Sequence, residues 1–477
     1  MSFMNVRLCI AFVGKLTFTS IMKTSPKICS LAFGAALLAS LAISACGGSD
    51  DNDNGNSPAT GASAPQGASQ PSAPAAKAFS LALFGDVPYG NPNPTAGAAP
   101  GDDLYEFKHL PQYLSAIASD KDVSVAFHVG DLHSGSENCT AVYDRAIQSF
   151  FSQFTLPLVY TPGDNEWEDC QVPKEIAGFY SDTDPLLGNV AGTPQPSYST
   201  GSNKAGNPVD NLNLIRQLFF PAAGSTLGSG TLQVHSQAQE GTTDTDKQFV
   251  ENVWWANQGV VFATVNIPGG SNNGTDVWFS GKKPETPDTA NMTAQQATEV
   301  ANRTQATKDW LNNAFDQAEA QKATALVIAE QADMWDSENL GDNPRLSQYA
   351  PYVDIIARRT AEFGKPVVVI NGDSHLYQSD NPLMPNQACV HENVKPVTQV
   401  YDASTPFTAA TPCSFDPYVL NPVGTSYNVP NFHRIIVHGQ TTPMEWTKFT
   451  FDPTKNAPNG IDAYGPFSWA RQRVTLN

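Results

Sequence analysis

An α/β fold built around a parallel sheet is what this sequence predicts, and three observations carry the prediction. Four short apolar runs have strand length: Phe79–Phe84, 123–129, 156–160 and 367–370. The first three alternate with stretches of helical periodicity at 104–119 and 141–153, which gives βαβαβ with right-handed crossovers. All four runs lead into Gly-Asp: Gly85-Asp86, Gly130-Asp131, Gly163-Asp164 and Gly372-Asp373. One such pair says little, because Asp favours turns for local hydrogen-bonding reasons. Four of them at strand ends set four carboxylates on the rim of a sheet, where α/β proteins gather ligands, and point to cations.

The rest of the chain frames that core. Residues 1–45 contain no Asp or Glu, and Lys23 and Lys27 precede an apolar run at 28–43. The run is short for a membrane span and fits a signal peptide. Ser44-Ala45-Cys46-Gly47 resembles the lipobox of bacterial lipoproteins, so Cys46 is the expected lipidated residue. Residues 46–77, rich in Gly, Ser, Ala, Pro, Asp and Asn, are too polar to bury a core and read as a tether. The expected location is the bacterial cell envelope, at the outer membrane or the periplasmic face. Residues 78–477 are long enough for a large folded domain.

Charge bounds the partners. The chain carries 27 Lys+Arg against 46 Asp+Glu, a formal net charge of −19. Such acidity argues against nucleic acid, whose nonspecific binding needs basic patches. It also repels an anionic substrate unless bound cations reverse the local field. Besides Cys46, the exported part has four cysteines. Cys139 and Cys170 each follow a Gly-Asp loop, and Cys389 and Cys413 flank a loop rich in Pro and Thr. Two disulfides in that pairing are expected, although four cysteines allow three connectivities.

Residues 168–248 break the rhythm, with one helical piece at 212–220, and read as a lid or a mobile loop over the strand ends. Strands at 249–255 and 260–266 form a hairpin about Asn257-Gln258-Gly259. A helix is expected over Ala294–Ala320, with Trp310, Leu311, Ala314, Phe315 and Ala318 on its apolar face. Strand Ala325–Ala329 leads to Glu330-Gln331, and a helix at 351–363 precedes the last Gly-Asp. Further strands are expected at 432–438 and 444–451.

Taken in order, Asp86, Asp131, Asp164-Asn165-Glu166, Gln331 and Asp373-Ser374-His375 each follow a strand. That order is similar to the metal-binding blocks of the calcineurin-like metallophosphoesterases, over roughly residues 79–451. The resemblance implies a metallophosphatase-type α/β/β/α sandwich with two metals at the strand ends, here with the loop-rich segment inserted. Asp86 matches the Asp of the first block, while the family's next ligand, a His, is Pro88 here, beside Tyr89. Asp131 matches the carboxylate that bridges both metals. Asp164 stands at the family's metal-binding Asn, Asn165 at its catalytic His, and Glu166 is retained. Gln331 stands at the isolated His of the fourth block. Asp373 replaces the first His of the fifth block, and His375 keeps the second.

The chemistry needs these residue types. Two cations about 3.5–4 Å apart can clamp a phosphoryl group and activate a water. The resemblance implies that Asp86 and His375 complete one site and that Asp164, Gln331 and Asp373 complete the other. Oxygen donors in place of imidazoles favour Mg²⁺, Mn²⁺, Fe²⁺ or Ca²⁺ over Zn²⁺. Asn165 can donate a hydrogen bond to a phosphate oxygen but cannot deliver a proton. His133, two residues past Asp131, is the candidate acid, or else a metal ligand. The expected activity is metal-dependent hydrolysis of a phosphate-ester small molecule by a lipid-anchored enzyme. The competing expectation is a pseudo-phosphatase, a binding or structural lipoprotein that has kept the fold. Other polar residues have plainer readings. Glu166 can hold its loop, Gln331 can be an outer amide as readily as a ligand, and Tyr89 reads as packing. His128 reads as a core histidine, and His433 and His438 as structural strand residues.

Overall fold

Side-chain alternation along the first strand sets the layers. In β1 (Phe79–Phe84), Leu81 and Leu83 point one way, and Ala82 and Phe84 the other. All four are buried, so this strand is covered on both faces. In the computed structural model the described residues are 76–89, 105–132, 134, 135, 139, 141–171, 208–272, 294–336, 346–392, 410–422, 426–439 and 444–475. The leader, Cys46, most of the tether, and His133 lie outside them.

Among the described residues the first sheet has six strands. β1, β2 (Val123–His128) and β3 (Leu158–Tyr160) run parallel, joined by α1 (Tyr105–Ser119) and α2 (Ala141–Gln153). On the other side of β1 lies antiparallel β13 (Glu445–Phe451), followed by β15 (Phe467–Arg473) and β14 (Ala463–Tyr464).

Among the described residues the second sheet has nine strands. Its centre is parallel: β6 (Val260–Thr264), β7 (Ala325–Ala329), β8 (Val367–Asn371) and β12 (Phe432–Ile436). Antiparallel β5 (Val253–Asn257) and β4 (His235–Ser236) close one edge. The other edge is β9 (Gln378–Asp380), β10 (Val390–Glu392) and β11 (Ala410–Pro412).

Three apolar clusters make this a four-layer α/β/β/α sandwich, the class the sequence predicts. Leu81, Leu83 and Phe127 of the first sheet meet Phe262, Val327, Val368 and Ile435 of the second. The outer face of the first sheet, Ala82, Phe84 and Ala126, packs on Leu110, Ile117, Tyr143 and Phe151 of α1 and α2. The outer face of the second sheet, Val261, Leu326, Ile328 and Val369, packs on α4 (Ala294–Ala320) and α5 (Ala350–Phe363). The α4 stripe is the expected one, with Trp310, Leu311, Ala314, Phe315 and Ala318 all buried. Helix α5 ends at Gly364, whose left-handed backbone (φ 64°) lets its N–H reach the Thr360 carbonyl. No helix among the described residues is long and apolar enough to cross a membrane.

Several boundaries differ from expectation, for local reasons. The strand expected at 249–255 starts at Val253, because Phe249 is still tied to the carbonyl of Asp246. That turn is held by Asp246, whose carboxylate accepts the Thr243 N–H at 2.9 Å. The helix expected at 212–220 is α3 (Pro208–Phe219); proline fits its first position, where no N–H is needed. The described part of the 168–248 segment carries regular structure. Ile215 and Phe219 join the helix layer, and β4 extends the second sheet.

Candidate metal centre

Each strand that was expected to end in a polar group does so at the same rim. Asp86 follows β1, Asp131 follows β2, Asp164 follows β3, Gln331 follows β7, and Asp373 and His375 follow β8. Four of these turn the chain through the left-handed region: Asp86 (φ 50°), Asp131 (φ 59°), Asp373 (φ 73°) and His375 (φ 63°). That conformation costs an ordinary L-residue about 1–2 kcal/mol, least for Asp, Asn and Gly. Glycine lets the loops approach. A Cβ on Gly163 would sit 1.9 Å from Asp131 Oδ1, and one on Gly269 2.6 Å from Asp373 Oδ1 and 2.8 Å from Asp164 Oδ1. The last pair of distances places Asp164 and Asp373 around one point.

The structure brings Asp86, Asp131 and His375 together, with Asn165, Gln331 and Asp373 bonded to them. Ligand atoms of Asp86, Asp131 and His375 all lie within 4.8 Å of one another. His375 Nε2 is 3.5 Å from Asp86 Oδ1, which also accepts the Asp373 N–H at 3.1 Å. Asn165 donates from its backbone to Asp131 Oδ1 at 3.2 Å and from Nδ2 to Asp131 Oδ2 at 2.9 Å. Gln331 Nε2 donates to Asp131 Oδ2 at 3.2 Å and Asp164 Oδ1 at 3.0 Å, while its Oε1 accepts the Gly269 N–H. Gln331 thus turns its nitrogen, not its oxygen, to the carboxylates, the outer-amide arrangement. Glu166 accepts the Tyr160 hydroxyl at 2.7 Å, which holds the loop after β3 from behind.

Electrostatics bears on what could fill the space between these groups. Burial, then the neighbouring Asp164, Glu166, Asp86 and Asp373, pushes the Asp131 carboxyl well above its ordinary range. Burial does the same to Asp86 and Asp373, with Asp164 adding to both. Asp86 Oδ2 has no hydrogen-bond partner among the described residues. Crowded, buried carboxyls of this kind either hold protons or share a cation, and oxygen donors suit a hard divalent ion. His375, pushed by burial down to about 4, is a neutral imidazole at pH 7, the form that ligates metal. The donor set therefore fits a divalent metal.

Sequence reasoning missed three participants. Tyr89, expected to pack, is buried but has a polar task. Its hydroxyl donates to Asp131 Oδ2 at 3.0 Å and accepts from Asn165 Nδ2 at 2.9 Å. Its place three residues past Asp86 is the only signal in the sequence. Asp333, two residues past Gln331, gives its N–H to Asp373 Oδ2 at 2.9 Å. Glu168 lies against Gly270, where a Cβ would stand 2.5 Å from its Oε1. The cysteines pair as expected, with Cα separations of 5.6 Å for Cys139–Cys170 and 5.4 Å for Cys389–Cys413. His128 is a core histidine, with its ring nitrogen 2.8 Å from the Val87 carbonyl.

A second group, Glu392, His438 and Glu445, also has three ligand atoms within 4.8 Å. It is already neutralised. Arg471 donates to both Glu392 and Glu445, and His438 Nδ1 is 2.7 Å from Glu392 Oε2. Burial opposes the charged form of His438, but Glu445 and the Glu392 hydrogen bond outweigh it and push it up to about 9. This is an internal ion network, which agrees with a structural part for His438, although the residue lies two positions past the end of β12.

No protein-family model matches the chain, and no curated protein does. Among solved structures, the chain is similar to purple acid phosphatase PPD1 from yellow lupin (Lupinus luteus) seeds. The identity is 11% and the TM-score 0.33, over 84% of this chain and 52% of that one. It is similar to the Haemophilus influenzae NAD nucleotidase NadN at the same 11% and 0.33, over 84% of this chain and 50% of that one. The chain thus spans about half the length of each. A likeness this distant carries no argument about activity, and the fold rests on the chain's own two sheets.

Proposed function

We propose that this protein is a metal-dependent phosphoesterase whose site is the carboxylate cluster at the strand ends. The observation that carries the reading is the meeting of Asp86, Asp131 and His375, from three separate strands, with ligand atoms within 4.8 Å of one another. Asp86, Asp131 and His375 would hold one divalent cation, and Asp131, Asp164 and Asp373 a second, probed as Mg²⁺, Mn²⁺, Fe²⁺ or Ca²⁺. Such cations supply Lewis-acid polarisation of a phosphoryl group and a nucleophilic water at neutral pH.

The chain's own groups would do the rest. Gln331 and Tyr89 orient Asp131 by donating to its Oδ2, and Asn165 fixes both of its oxygens. Asn165 can orient a phosphate oxygen and cannot supply a proton. We assign proton delivery to the leaving group to His133, which a good leaving group would make dispensable. The substrate is a phosphate-ester small molecule, and attachment through lipidated Cys46 would place the site at the cell envelope. Detection of a diacylglyceryl group on Cys46 by intact mass tests that attachment.

Turnover of a chromogenic aryl phosphate with Mg²⁺, Mn²⁺, Fe²⁺ or Ca²⁺ tests the activity, with Asp131→Asn as control. Metal-dependent hydrolysis lost in Asp131→Asn is expected. Metal uptake without turnover would favour a binding lipoprotein, and no uptake would remove the metal reading altogether.

A further inference from the structure

We propose that Arg434 and Asp333 are positioning residues that hold the Asp373-Ser374-His375 turn in the shape the metal site requires. The inference rests on the reading above for its functional meaning, and on geometry for its substance. Arg434, in β12, is completely buried. Its guanidinium donates to Asp380 Oδ1 at 2.9 Å and Oδ2 at 2.7 Å, and to Asp333 Oδ1 at 2.5 Å. Its face lies 5.4 Å from the Trp335 ring centroid. Three groups therefore fix Arg434, and Arg434 fixes Asp333.

Asp333 then acts on the turn twice. Its Oδ2 accepts the Ser374 hydroxyl at 2.5 Å, and its N–H donates to Asp373 Oδ2 at 2.9 Å. The turn needs such ties. Asp373 and His375 both have left-handed backbones, with φ of 73° and 63°. Non-glycine residues persist there when surrounding contacts over-determine them. Parallel pairing of Arg434 with Val369 in β8 carries Arg434 alongside the strand from which the turn departs. Outer partners that orient ligands commonly change metal affinity by 10–100-fold when removed.

The test compares wild type with Asp333→Asn and Ser374→Ala by two readouts. Asp333→Asn leaves Arg434 its bidentate partner Asp380, and Ser374→Ala removes only one hydroxyl, so both are expected to fold. Amide hydrogen exchange without metal should speed up at least about tenfold at residues 373–375 in Asp333→Asn, with β8 and the melting temperature little changed. Mn²⁺ titration should show affinity lowered by roughly 10–100-fold in Asp333→Asn, and less in Ser374→Ala. Unchanged local exchange with unchanged Mn²⁺ affinity would overturn the proposal while leaving the phosphoesterase reading intact. A wild type that takes up no Mn²⁺, with accelerated exchange in the variant, would overturn that reading and leave the positioning role standing.

Discussion

The Tyr89 hydroxyl donates a 3.0 Å hydrogen bond to Asp131 Oδ2, and so joins the loop after β1 to the loop after β2. The same oxygen atom of Tyr89 accepts Asn165 Nδ2 at 2.9 Å, which brings in the loop after β3. One phenol thus ties three strand ends. Tyr89→Phe should keep the ring packing and lose both bonds. Mn²⁺ affinity is expected to fall about tenfold, as for other outer partners of metal ligands. Isothermal titration of the variant checks this, and unchanged affinity would make Tyr89 a packing residue after all.

Gly269→Ala is expected to damage the site more than the fold. The added methyl would fall within 2.8 Å of carboxylate oxygens from both Asp373 and Asp164. One or both must move, so Mn²⁺ affinity should drop at least about tenfold. Thermal melting beside a metal titration separates the two effects.

Reduction of Cys139–Cys170 should loosen the region that carries Asp131 and Asp164. The bridge spans 31 residues of sequence, and its loss is expected to cost about 2–4 kcal/mol of stability. Denaturant unfolding of a Cys139→Ser/Cys170→Ser protein measures that cost.

Stability should decline as pH rises through the range set by His438. Its folded value of about 9 exceeds its ordinary 6.5, so the folded state holds a proton the unfolded state has released. The contribution is complete below 6.5 and disappears as pH passes 9. Glu106, pushed by burial up to about 7, acts in the same direction at lower pH. His438 contributes to the slope of melting temperature between about pH 6.5 and 9, and that part should be lost in His438→Gln.

The frame of the site was legible because it is local: an apolar run, then Gly-Asp, repeated at β1, β2, β3 and β8. The Cys139–Cys170 pairing was legible because each cysteine follows one of those loops. What stayed hidden depends on register between distant segments. Tyr89 looks like any buried aromatic until β1 and β2 stand side by side. Arg434 and Asp333 are about a hundred residues apart, and only the parallel sheet brings them into contact. Gln331 follows β7 at the rim, and which end of its amide faces the carboxylates follows from Gly269, just past the neighbouring strand β6. Strand β15 escaped notice because only Phe467 and Trp469 mark its inner face before Arg471, Gln472 and Arg473 blur the alternation.

The left-handed turns at Asp86, Asp131, Asp373 and His375 restrict what this protein can become by mutation. A short polar side chain that bonds its own neighbourhood sits there with little penalty, whereas Val, Ile or Thr cannot. Drift at these positions is therefore channelled toward Asp, Asn, His and Gly. Three of those four letters can hold a cation, so the backbone itself shields the pocket from random loss of ligands, and exchange of imidazole for carboxylate becomes the path of least resistance.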